Sequence, residues 1–142
     1  MNFHSFPLIH IGWITKNLEE ARRGFEILGI GPFRVLQPKY DEKSYLGEKG
    51  DFEMKFALAS LGPIEIEIIE PLAGKSVYNE FLERTGGGFH HLAYEVPDLD
   101  EALRMLEKSG LKAVMSGARK GLRFAYLQGE SGPIFELVER KE

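Results

Sequence analysis

At 142 residues, 43% of them apolar and 28% charged, the chain has the length and composition of one globular domain with its own core, which excludes a disordered polypeptide. A formal charge of −4 with scattered basic residues argues against a nucleic-acid surface, and no apolar run reaches the length of a membrane span. The start MNFHSFPLIH lacks the cationic and apolar regions of a secretory signal, and cysteine is absent, so a cytoplasmic protein is expected, without disulfides and with any metal held by nitrogen and oxygen donors.

In chain order, a short strand rich in Ile and Trp follows Pro7 and ends at Asn17, a residue suited to cap a helix. Leu18, Ala21, Phe25 and Leu28 then recur at helical spacing, and Gly29 falls where that helix stops. After a charged stretch, KYDEKSYLGEKGDF, the segment MKFALASLGPIEIEIIEPL reads as paired strands. Pro71 to Gly88 is a crossover containing a short helix, Val77 to Arg84, and the Gly86-Gly87-Gly88 turn. The pattern then begins again. HHLAYEV is a strand, Asp98 a cap, and Leu99, Ala102, Leu103 and Leu106 lie at helical spacing before Gly110. LRFAYLQGESGPIFELVER closes the chain as strands.

The recurrence is an internal repeat. Ile9 to Ile30 lies on His90 to Leu111 at a constant offset of 81, with seven identities in 22 pairs, among them His10/His91. Average composition would give only about one or two. The later strands share Phe-Ala, Gly-Pro-Ile and Glu-x-x-Glu, pairing Phe56 with Phe124 and Glu67 with Glu136. The chain is therefore expected to be one α+β domain made of two copies of strand, helix and about three strands, spanning about 6–72 and 88–140.

The repeat also selects residues. Successive side chains on a strand alternate in direction. His91, as the partner of His10, is expected to share a face with Ala93 and Glu95, leaving His90 on the opposite face. Glu65 and Glu67 oppose the isoleucines of their strand, and the repeat pairs Glu67 with Glu136. Two halves packed about a pseudo-twofold axis would bring His10, Glu67, His91 and Glu136 together. Such a set suits one divalent ion such as zinc, cobalt, nickel, manganese or iron, and leaves positions open for substrate. Buried carboxylates on apolar strands need such compensation. Phe33, Tyr45, Phe52 and Tyr126 fit equally well as pocket wall or core.

The segments HIGWITKNLEEA, IEIIEPL, FLERTGGGFHHLAYEVPDLDEAL, FAYLQ and IFELVE resemble the vicinal oxygen chelate superfamily, which includes glyoxalase I, methylmalonyl-CoA epimerase, extradiol dioxygenases and bleomycin-resistance proteins. The similarity is greatest to the epimerases and fades between Phe33 and Phe56. The resemblance implies two tandem βαβββ modules whose eight-stranded, incompletely closed mixed sheet forms a cleft. It implies a homodimer, a divalent metal on His10, Glu67, His91 and Glu136, and an acyl-CoA thioester as substrate. The reaction so implied removes the proton alpha to the thioester carbonyl, with the metal as Lewis acid and Glu136 as one acid/base. Glu48, two residues before Gly50, is the match to the family's second acid/base. Gly117 to Gly121, GARKG, offers cationic charge for coenzyme A phosphates. A glyoxalase I-like (lactoylglutathione lyase type) reaction uses the same ligand types. An extradiol dioxygenase needs a single carboxylate beside two histidines, and a ligand-sequestering protein needs none of the four.

Overall fold

The two strands matched by the repeat, β1 (Leu8–Ile14) and β7 (Gly88–Glu95), pair antiparallel at the middle of one sheet. Around them the computed structural model, which describes residues 5–131 and 134–141, places the remaining elements. The Gly132-Pro133 part of the second Gly-Pro-Ile lies outside the described residues. In chain order, α1 (Leu18–Ile27) follows β1, then come β2 (Arg34–Leu36), β3 (Glu42–Tyr45), β4 (Glu48–Lys49), β5 (Glu53–Leu61), β6 (Ile64–Ala73) and α2 (Val77–Thr85). After β7 come α3 (Leu99–Lys108), β8 (Lys112–Arg119), β9 (Leu122–Gln128) and β10 (Ile134–Arg140).

The sheet order is β2-β5-β6-β1-β7-β10-β9-β8-β3-β4. Outward from the centre, each half runs first strand, last strand, third, second. The helix crossovers make β1 parallel to β6 and β7 parallel to β10, while the other pairs are antiparallel. The expected eight strands are corrected to ten among the described residues, because β3 and β4 form a hairpin that leaves the first half and pairs with β8 of the second. Leu46 (φ 53°) and Gly47 (φ 84°) make its two-residue turn, the primed geometry that matches strand twist.

The helices follow from their ends. Asn17 and Asp98 accept from the backbone N–H of Glu20 and Glu101, capping α1 and α3. Both helices close alike: Ile30 N–H donates to Phe25 O and Leu111 N–H to Leu106 O, with Gly29 and Gly110 left-handed. α1 and α3 cover one face of the sheet, where Leu18 packs with Ala57 and Ile68, and Leu99 and Ala102 with Ala125 and Leu137. The other face is the inner one. There Ile14, Met54 and Ile69 of the first half meet Met115, Phe124 and Val138 of the second in one cluster with Tyr78 and Leu82 of α2. Strands that far apart touch on one side only if the sheet curls around it. Among the described residues no helix is long and apolar enough to cross a membrane.

Candidate metal centre

The centre lies where β1 and β7 cross the inner face, and two local irregularities build it. In the β1/β7 ladder the register shifts between Leu8 and His10, and again between Gly12 and Trp13 opposite His91 and Phe89. Ile9 and His90 are therefore bulged residues, related by the same offset of 81 as the two histidines that follow them. The expectation that His90 faces away from His91 is corrected by the second bulge. Both rings turn inward, with their Nδ1 atoms 2.8 Å apart. His90 is buried among Tyr78, Phe81 and Tyr126, with its ring centroid 4.8 Å from that of Phe81.

Each site histidine lies opposite a small residue, His10 across from Ala93 and His91 across from Gly12. A Cβ on Gly12 would overlap the His91 ring outright, so glycine is what admits that imidazole. Gly12 and Ala93 are also an offset-81 pair, a signal present in the sequence and passed over. The parallel neighbours complete the symmetry, because Glu67 is in register with Gly12 and Glu136 with Ala93.

The four expected residues converge. His10 Nε2 donates to Glu136 Oε1 at 3.0 Å and lies 3.4 Å from Glu67 Oε1. His91 Nε2 is 3.3 Å from His10 Nε2 and 3.5 Å from Glu136 Oε1. One donor atom from each of the four lies within 4.8 Å of all the others, and all four residues are buried. Two carboxylates in such surroundings call for positive charge, and protons supply it when no cation is present. Burial alone would lower the His10 pKa, but the Glu67 charge and the Glu136 hydrogen bond outweigh it and raise the imidazole to about 9. Burial, opposed by His10, also pushes the Glu67 carboxyl up. His91 is held well below its ordinary value by burial and by the neighbouring His10, and His90 is lowered to about 4 chiefly by burial.

A small cavity of about 60 Å³ opens beside the quartet, lined by His10, Glu67 and Glu136 with Tyr40, Phe56 and Phe124 among others. Burial and the charges of Glu136 and Glu67 raise the Tyr40 phenol, which is therefore a neutral hydroxyl at ordinary pH. The Tyr126 hydroxyl lies 3.5 Å from His91 Nε2 and shares a 2.8 Å hydrogen bond with Tyr78. Of the four undecided aromatics, it alone touches the centre; Phe52 and Tyr45 pack in the inner cluster and Phe33 under α1. Glu48 is not brought in. It is exposed on β4, the outermost strand, and is not among the residues lining the cavity. GARKG spans the end of β8 and its turn into β9, where Arg119 lies near enough to act on the Tyr40 phenol. A larger groove, about 430 Å³, runs between α1 and the Gly86–Gly88 turn and contains none of the quartet.

The family model for the Glyoxalase/Bleomycin resistance protein/Dioxygenase superfamily matches residues 9–126. The chain belongs to this superfamily. Within it, the chain is 28% identical over 140 residues to the protein YqjC of Bacillus subtilis (strain 168), covering 94% of this chain and 92% of that one. It is 32% identical over 74 residues to the ethylmalonyl-CoA/methylmalonyl-CoA epimerase of Cereibacter sphaeroides, covering 51% of this chain and 55% of the epimerase. The crystal structure of methylmalonyl-CoA epimerase from Mycobacterium tuberculosis superposes with a TM-score of 0.70 at 25% identity, covering 95% of this chain and 88% of the epimerase. The divalent ion that superfamily membership implies fits the donors present. Two carboxylates and a divalent cation sum to zero with both imidazoles neutral. Four of the six donor separations, at 3.0–3.5 Å, are close to the spacing of ligands around one small ion, about 3.3 Å for tetrahedral zinc, and all six lie within 4.8 Å.

Proposed function

We propose that this chain is a divalent-metal-dependent epimerase or isomerase that abstracts the proton alpha to a thioester carbonyl, in the manner of methylmalonyl-CoA epimerase. The observation that carries the reading is the convergence of His10, Glu67, His91 and Glu136 on the inner face. The relatives named as epimerases support the substrate class. His10, Glu67, His91 and Glu136 would hold the ion, which when bound supplies a Lewis acid for the oxyanion of an enolate. Glu136 is the base: its carboxylate lies on the cavity wall, and a base must reach the proton it removes. Phe56 and Phe124 line that wall and limit water, so a charge formed there is held more strongly than in bulk solvent. The cavity accommodates only the reacting end of a substrate. The GARKG turn, whose Arg119 acts on the Tyr40 phenol of the cavity wall, supplies cationic charge for a coenzyme A tail in this reading. The proposal includes one domain of two modules, 6–72 and 88–140, assembled as a homodimer, the latter tested by sedimentation.

The test is solvent deuterium exchange into methylmalonyl-CoA with added cobalt. Exchange is expected with the wild-type protein and a loss of roughly 10²–10⁴-fold in Glu136→Gln. Wild-type exchange no faster than the protein-free background overturns the reading. One observation favours a second reading, a glyoxalase I-type isomerase. Glu67 and Glu136 are the carboxylates among the described residues lining the cavity, and a reaction that returns its proton on one face of the intermediate needs one base. Turnover of the methylglyoxal–glutathione hemithioacetal, without deuterium exchange into the acyl-CoA, would establish that reading instead.

A further inference from the structure

We propose that His90 is a positioning residue: its Nδ1 accepts the Nδ1–H of His91 and so keeps the His91 Nε2 lone pair turned toward the cation. The inference rests on the metal centre proposed above and concerns a residue outside the quartet. A neutral imidazole carries one N–H, and a ring nitrogen that ligates a metal must be bare, so the hydrogen of a ligating ring sits on its other nitrogen and needs an acceptor. For His91 that other nitrogen is Nδ1. Its side chain is fully enclosed, with no exposed surface. The polar atom placed to receive the hydrogen is His90 Nδ1 at 2.8 Å.

The surroundings of His90 leave the direction of donation to be set by His91. His90 Nε2 is buried without a hydrogen-bond partner among the described residues, so either tautomer of that ring leaves Nε2 unpaired, and the ligand role of His91 decides which ring donates. The rings of Tyr78, Phe81 and Tyr126 enclose His90, so no stronger donor or acceptor competes for the ring and reverses the tautomer. The repeat removes the simpler explanation. The bulge of β1 presents Ile9 at the matching position, and Ile9 packs against the same inner cluster, so an apolar side chain meets the packing requirement there. A histidine at position 90 adds a nitrogen that packing does not require.

The test compares His90→Asn, whose side-chain oxygen can take the place of Nδ1 as acceptor, with His90→Leu, which has none. Zinc affinity is read by competition with a chromophoric chelator, and folding of each variant is checked by circular dichroism. His90→Asn is expected to bind zinc within about threefold of wild type, and His90→Leu roughly 10–100-fold more weakly. Long-range ¹⁵N–¹H spectra of the zinc-loaded wild type are expected to show the proton of His91 on Nδ1 and that of His90 on Nε2. Wild-type zinc affinity in a folded His90→Leu, or a proton on Nδ1 of His90, overturns the inference and leaves the metal centre standing. A wild-type protein that binds no zinc overturns both. Should His90→Leu not fold, the wild-type spectrum decides.

Discussion

Gly12 shows how narrowly the centre is set at the level of one residue. Its missing side chain is the space the His91 imidazole occupies, so Gly12→Ala must displace the ring or part β1 from β7. The expected result is a loss of about 1–3 kcal/mol in urea unfolding, the usual range for overpacking, together with weakened zinc binding. A variant unchanged in both would show that His91 does not depend on this gap. The protonation of His10 makes a second prediction. Without a cation the imidazole holds its proton up to about pH 9, so a metal ion must expel that proton to bind. Glu67, raised to about 7 by burial, adds a further fraction of a proton near neutrality, so cobalt affinity should rise at least tenfold per pH unit between pH 7 and 8, with between one and two protons released per ion at pH 7 and about one at pH 8 in calorimetry across buffers of different ionisation enthalpy. No proton release in that range would mean that His10 is neutral in the free protein. At this scale the repeat made the quartet legible, because an offset that pairs His10 with His91 and Glu67 with Glu136 names residues directly. The side to which His90 turns was not legible, since the alternation rule fails at a bulge and a bulge leaves no mark in an HHLAYEV pattern.

Among the elements, the repeated Glu-x-x-Glu acquires its meaning from the geometry of a strand. An odd spacing sends the two carboxylates to opposite faces. Glu67 and Glu136 enter the centre, while Glu70 and Glu139 reach the helix-covered face and accept the backbone N–H of Leu18 at 2.7 Å and of Leu99 at 2.8 Å. Each helix start is thus tied to the last strand of its own half, and a carboxylate is well placed at the positive end of a helix. Glu139→Ala is expected to cost about 1.5–3 kcal/mol of stability, the range for a hydrogen bond to a charged group, because Glu139 is buried. Zinc affinity should stay within about twofold, since the change lies on the far face of β10. A large loss of zinc binding without loss of stability would place Glu139 in the wrong role. The helices were legible from their caps and glycines. The β3–β4 hairpin was not, because Leu46-Gly47 lacks the usual Asn-Gly or Asp-Gly turn signal and the strands beside it are short and polar. That hairpin accounts for the two extra strands and carries Glu48 to an exposed position at the edge of the sheet, outside the cavity lining.

For the molecule as a whole, the account depends on a single arrangement, two like halves meeting at β1 and β7 so that matching residues face one another across the join. Spacing alone named the residues that meet across this join. The curl of the sheet came from the family resemblance and not from spacing, since it arises where side chains from both ends of the sheet pack together around α2. The most direct test is elemental analysis of protein purified without chelator and then equilibrated with cobalt, for the wild type, His10→Ala and His91→Ala. The account predicts one divalent ion per wild-type chain and less than about a tenth of that in either variant, consistent with the loss of one of four ligands. A wild-type chain that retains no ion under these conditions, or variants that retain as much as the wild type, would contradict it.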